Sequence, residues 1–209
     1  MKKISGRIVS VLLLFALCLT IAGCEKEASW KKWTTERMAV EQDGKIIYGF
    51  VDSFEKNYYD IDELTGMVVK EVAEFNAQKK TGDAVPVTVL EVAKLEEDEG
   101  KVRVIYQFEN SSYFTLFFGE ETIYETLGEA IEKKHVFIGS VVQNGKEDLT
   151  LDEQNVAKLK EKHVLITKVK TKVTLPHDVA YYGYGVKMTS EEEADLSACE
   201  EEAILILKK

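Results

Sequence analysis

Three histidines, three cysteines and 37 acidic side chains are the residues of this 209-residue chain that could bind metals, attack substrates or move protons. His135, His163 and His177 stand far apart, with no H-E-x-x-H helix and no Cys-x-x-Cys pair beside them. The clustered ligands that zinc requires are therefore missing from the pattern. His177-Asp178 falls near a predicted strand start and reads as a loop pair. Asp60-x-Asp62 opens like a calcium loop, but Leu64 stands at the third ligand place and Thr65 at the obligatory glycine. Glu191, Glu192 and Glu193 are adjacent, and neighbours on a strand or helix point apart rather than converge on one ion. No metal and no cofactor are expected.

Phosphate and nucleophile chemistry fare no better. Gly183-Tyr184-Gly185 begins a dinucleotide fingerprint, but Met188 occupies the third glycine place and the flanks read as antiparallel strands. Gly139-Ser140 lacks the remainder of a nucleophile elbow. Two facing carboxylates could hydrolyse a glycosidic bond, but among 37 acids no spacing selects a pair, so no catalytic residue is assigned. Tyr181, Tyr182 and Tyr184 can stack on a sugar or pack in a core; strand alternation would put Tyr182 and Tyr184 on one face and Tyr181 on the other. Cys199 is followed by Glu200, Glu201 and Glu202, which disfavour a thiolate, so it reads as a small buried hydrophobe.

The elements that must position these residues follow from periodicity. Residues 35–54 predict a hairpin turning at Asp43-Gly44. Residues 60–79 predict the strongest helix, capped by Asp60 with Glu63 three places on. Ile61, Leu64, Val68, Val72 and Phe75 form its apolar stripe. A second hairpin is expected over 85–109, turning in the acidic stretch from Glu96 to Gly100. The run YFTLFF at 113–118 fits either a buried strand or a tight aromatic segment. A short helix over 122–134, a strand over 136–142 and a helix over 151–162, capped by Thr150 with Glu153, come next. Strands follow at 163–174, 179–188 and 203–208. EKKHV at 132–136 and EKHV at 161–164 each mark a helix end before a strand, where Lys and His suit the negative end of the helix dipole. These elements predict an α+β domain: a mainly antiparallel sheet built from hairpins, with the helices at 60–79 and 151–162 on one face.

The N-terminus carries the most specific pattern. Lys2, Lys3 and Arg7 precede an apolar run that stops at Ile21-Ala22-Gly23-Cys24. From Ile8 to Gly23 this run is 16 residues, short of the ~20 that span a bilayer. Charge, apolar core and small-small-Cys in this order resemble the lipobox signal of bacterial lipoproteins. The resemblance covers residues 1–24 and implies cleavage between Gly23 and Cys24, with a diacylglyceryl group on the Cys24 sulfur. Two acyl chains give the stable anchoring that one does not.

On this reading residues 1–23 are a signal peptide, 24–34 a lipidated cysteine with a short tether, and 35–209 a single extracytoplasmic domain. The ten residues 25–34 reach at most about 35 Å. Trp30 and Trp33 flank Lys31 and Lys32; each tryptophan suits a membrane interface, or one of them packs on the domain edge. Cys18 leaves with the signal and Cys24 takes lipid, so no intramolecular disulfide is available. Losing Lys2, Lys3 and Arg7 leaves 24 basic against 37 acidic residues, a net charge of −13. That excludes nucleic acid as a partner.

Three functions are consistent with this pattern. The first is a non-enzymatic binding or accessory lipoprotein whose partners are the membrane, through Cys24, and an envelope protein or small ligand. The second is an envelope glycan or peptide hydrolase, and the third a structural or stress lipoprotein without a ligand site. Absent catalytic signatures favour the first.

Overall fold

A computed structural model describes residues 29–95, 98 and 100–209. The described residues fall into two units, one ending at Lys32 and the other over 33–209. The described part of the first is one 3-10 turn, Ser29–Lys32; the second carries the fold.

It begins with a hairpin, β1 (Arg37–Val40) and β2 (Ile46–Ser53), paired from Arg37 opposite Gly49 to Val40 opposite Ile46. The turn runs over 41–45 rather than over Asp43-Gly44 alone: Glu41 N–H donates to Lys45 O at 2.8 Å, and Gly44 supplies a φ of 84°. Helix α1 (Ile61–Lys79) starts at Asp60, whose carboxylate accepts from the Asp62 and Glu63 N–H groups at 2.8 and 3.0 Å. Of its expected stripe, Val68 and Val72 are buried and Leu64 and Phe75 pack against them. The second hairpin, β3 (Val87–Lys94) and β4 (Lys101–Phe108), forms as expected, with a bulge between Val89 and Glu91. Asn76 ties α1 to it. Its amide donates to Val87 O at 2.8 Å and accepts from Val87 N at 3.0 Å, so it pairs like a strand residue.

The run 113–118 is not a strand but part of helix α2 (Ser111–Phe118). Asn110 caps its start by accepting from Tyr113 N at 3.1 Å, and Gly119 closes it in the left-handed conformation at φ 76°. These flanks set a helix that the apolar run alone does not specify. The helix expected over 122–134 divides into β5 (Thr122–Thr126) and α3 (Leu127–Glu132), with Thr126 and Glu129 forming a true capping box. Then come β6 (Val141–Gln143), β7 (Asp148–Thr150), α4 (Glu153–Leu159), β8 (His163–Thr167), β9 (Lys172–Thr174), β10 (Val179–Tyr182), β11 (Lys187–Met188), β12 (Glu193–Asp195) and β13 (Ala203–Leu207). The cap of α4 is Asp152, which accepts from Asn155 N at 2.8 Å, not Thr150.

The α+β class with mainly antiparallel pairing holds, distributed over two sheets. The first has the order β11-β12-β9-β1-β2-β4-β3 and the second β5-β8-β13-β10-β6-β7. All pairs are antiparallel except β1 with β9. The main core lies between the sheets, where Met38, Tyr48, Tyr106 and Phe108 of the first meet Leu165, Leu205 and Leu207 of the second. Alternation along β8 and β13 sends Val164, Ile166 and Ile206 to a smaller core on the other side, under Leu127, Val156 and Leu159 of α3 and α4. The two main helices therefore do not share a face: α1 covers the main core and α4 the smaller one.

Where β2 and β4 run furthest, Phe50 and Asp52 pair with Val104 and Val102. They lie on the same sheet face as Tyr48 and Tyr106, and only the first turns of α1 reach over them. The opposite face of this hairpin is closed by Trp33. A Cβ on Gly49 would lie 2.7 Å from Trp33 Cε3 and 2.8 Å from Ile105 Cδ1, so glycine is required for the ring to sit this close to the strand. Arg103 fastens the same segment: its guanidinium donates to Trp33 O at 2.8 Å and to Glu91 Oε2 at 2.6 and 2.7 Å.

Candidate functional site

The overhang of β2 and β4 beyond the helices leaves a cleft of about 420 Å³. Its floor is Phe50, Asp52, Val102 and Val104 from the sheet. One wall is Leu64, Met67 and the acidic first turn of α1. The rim is the 54–59 segment, where Phe54 and Tyr59 lie 5.1 Å apart and Tyr58 meets Tyr59 edge-on at 5.0 Å. Exposure marks this region off from core: Phe50 is 39% accessible, Tyr59 43%, Met67 63% and Tyr58 71%. Aromatic and thioether side chains converging on a concave surface without being consumed by packing are the usual lining of a ligand cleft.

The charged residues that line the cleft, Asp52, Asp60 and Glu63, are all acids. Asp60 spends one carboxylate oxygen on the start of α1, and Asp52 Oδ1 accepts from Ser53 N at 2.7 Å. Glu63 completes the lining. Phe50 also borders a second hollow of about 330 Å³ with Tyr48, Phe118, Lys168 and Lys170. There burial, reinforced by the Glu36 carboxylate that accepts from the Tyr48 hydroxyl at 2.6 Å, pushes that phenol well above its usual range. Tyr48 is a fixed donor and not an acid.

A third, polar hollow of about 480 Å³ contains Glu125, Glu129, Lys133 and His163. Its acids Glu125 and Glu129 are occupied. Glu125 is bound by Lys133 and by His135 Nδ1 at 2.9 Å. Glu129 belongs to the α3 capping box, and the hydrogen bonds from Thr126 hold its carboxyl below the usual range. A general acid needs a raised value instead. His163 stacks on Tyr124 at 5.1 Å. The two lysine–histidine echoes thus both build this hollow.

The remaining sequence candidates have local roles. Asp60 and Asn110 are helix caps. Glu191 and Glu192 accept backbone bonds from Val179 and Leu175, while Glu193, in a strand the sequence did not reveal, pairs with Arg37 at 3.3 Å. Among the described residues no three His, Cys, Asp or Glu side chains could hold a metal ion. Tyr181 and Tyr182 do face opposite cores. Tyr184 does not share the face of Tyr182, because β10 ends at Tyr182; its hydroxyl donates to Asp148 at 2.7 Å from a turn made at Gly185. Cys199 is buried, and that burial pushes its thiol up. Gly23 and Cys24 lie outside the described residues. Trp30 sits in the 3-10 turn with Lys31 Nζ 6.0 Å from its ring. Trp33, at 5% accessible, packs on the domain edge, where the missing side chain of Gly49 leaves room for its ring.

Among the described residues no helix is long and apolar enough to cross a membrane. Comparison with protein-family models, with curated proteins and with solved structures gave no match.

Sequence reasoning missed Phe50, Tyr58, Tyr59 and Met67. The available signal was Met67, an apolar residue off the α1 stripe, together with two tyrosines immediately before the capping aspartate.

Proposed function

We propose that this chain is a lipoprotein of the bacterial cell envelope, anchored on the extracytoplasmic face of the membrane through a diacylglyceryl group on Cys24. Its folded unit is a non-enzymatic binding or accessory domain. The observation that carries the binding role is the aromatic cleft: four exposed aromatic and thioether side chains gathered on one concave surface, while the acids of the polar hollow are held in ion pairs and caps. The resemblance of residues 1–24 to a lipobox signal supports the anchor.

Eight residues lie between Cys24 and Trp33, a reach of at most about 30 Å, so the domain works close to the bilayer. Trp33 packs on the sheet face opposite Phe50 and Val104. The test is cross-linking with mass spectrometry on intact cells carrying the native protein. Reproducible links from the 50–67 region to one envelope protein, or displacement of a bound small molecule on mutation of that region, fit the proposal. A protein that yields only self-links and releases no ligand contradicts the binding role.

A further inference from the structure

The geometry points to the aromatic cleft as a binding site for a small organic cation: a substituted ammonium or guanidinium carried on an apolar body. This rests on the binding role proposed above and specifies its chemistry. The cleft's volume of about 420 Å³ lies within the range of small-ligand pockets, ~300–1,000 Å³. Phe50, Phe54, Tyr58 and Tyr59 present ring faces whose quadrupoles attract a cation, and an apolar body gains contact with Leu64 and Met67.

Charge selects the ligand's sign. Every charged residue of the lining is an acid, in a chain of net charge −10. Phosphates and other anions are repelled from such a cleft, and cations are concentrated in it. The positive end of α1 does not reverse this, because Asp60, Asp62 and Glu63 already answer it. Asp60 is committed to the helix cap, which leaves Glu63 and the second oxygen of Asp52 to meet a ligand. One ring of the group already attracts a cation of the chain itself: Lys94 Nζ stands 5.4 Å from the Phe54 centroid. Lys94 does not line the cleft, whereas the rings of Phe50, Tyr58 and Tyr59 line it beside Asp52 and Glu63.

The test is a fluorine NMR titration of the full chain in non-ionic detergent with 4-fluorobenzyl-trimethylammonium, and with 4-fluorobenzenesulfonate as the anionic counterpart. Saturable broadening of the ammonium and none of the sulfonate is expected. Tyr58→Ala and Asp52→Asn, at exposed positions that leave the core intact, should each weaken the ammonium by about fivefold. Phe137→Ala, an exposed apolar residue elsewhere, should not change it. Equal uptake of both probes, no saturation, or an equal effect of Phe137→Ala overturns the site. A lysine-bearing hexapeptide that binds more than about tenfold tighter than the free ammonium overturns the small-ligand assignment. Cross-links to an envelope protein without ammonium binding would refute this chemistry while leaving the envelope-binding role standing.

Discussion

Replacing Trp33 with alanine removes the side chain that closes the outer face of the β2–β4 hairpin. The ring is 5% accessible, and an indole of this kind buries ~200 Å², worth about 5 kcal/mol at ~25 cal/mol per Å². Measured Trp→Ala losses in cores, about 3–5 kcal/mol, bracket the same figure. Nothing beneath can refill the space, because the seat is Gly49, so the loss should fall near about 4 kcal/mol. The Arg103 bond goes to the Trp33 backbone carbonyl and survives the substitution. For a domain of this size the melting temperature should fall by about 8–16 °C, read by calorimetry or by urea denaturation followed by circular dichroism. Gly49→Ala alone should cost about 1–3 kcal/mol through overpacking, since its Cβ would lie 2.7 Å from the ring. In the Trp33→Ala background that clash is gone and only the flexible end of Ile105 remains close. The two substitutions should therefore couple by about 1–2 kcal/mol. A Trp33→Ala loss below about 1 kcal/mol, or strict additivity with Gly49→Ala, would refute the seating of the ring on the sheet.

Other outcomes follow from single contacts. Asn76→Ala should destabilise by about 2 kcal/mol, because it leaves both Val87 backbone groups without their partner; denaturant titration reads this. Native Cys199 should resist a thiol reagent at pH 8 and react only on unfolding, since burial raises its thiol. Asp43, Glu121, Glu129 and Asp195 all have lowered carboxyl values, Asp195 chiefly through its hydrogen bonds from Ser197. A lowered folded value means that the stabilisation is present above the unfolded carboxylate range and is lost as pH falls through the folded value. The melting temperature should accordingly decline on acidification below the usual carboxylate range, and Asp195→Asn should flatten part of that decline.

Much of the frame was legible. The α1 stripe and the two hairpins announce themselves through periods of 3.6 and 2, which local residues set by themselves. Helix α2 was not, because every face of YFTLFF is apolar and only Asn110 and Gly119 at its ends distinguish helix from strand. β12 was hidden at the end of the Glu191–Glu193 run, since a three-residue strand is specified by its pairing with β9 and β11 and not by its composition. The cleft was the least legible feature. Phe50 continues the alternation of Ile46 and Tyr48 and by pattern alone belongs to the core. It is exposed because α1 and α2 stop short of it, a fact of tertiary placement. Trp33 shows the converse: a residue whose neighbours suit a membrane surface, buried because a glycine sixteen positions later leaves room for its ring.

The central claim is the lipid anchor at Cys24, and a thiol count tests it most directly. The chain encodes three cysteines. Protein purified from the membranes of a lipoprotein-processing bacterium should show one free thiol per chain after denaturation, that of Cys199. Cys18 would have left with the signal, and the Cys24 sulfur would be alkylated. Two or three free thiols, or an intact mass that includes residues 1–23 and lacks lipid, would contradict it.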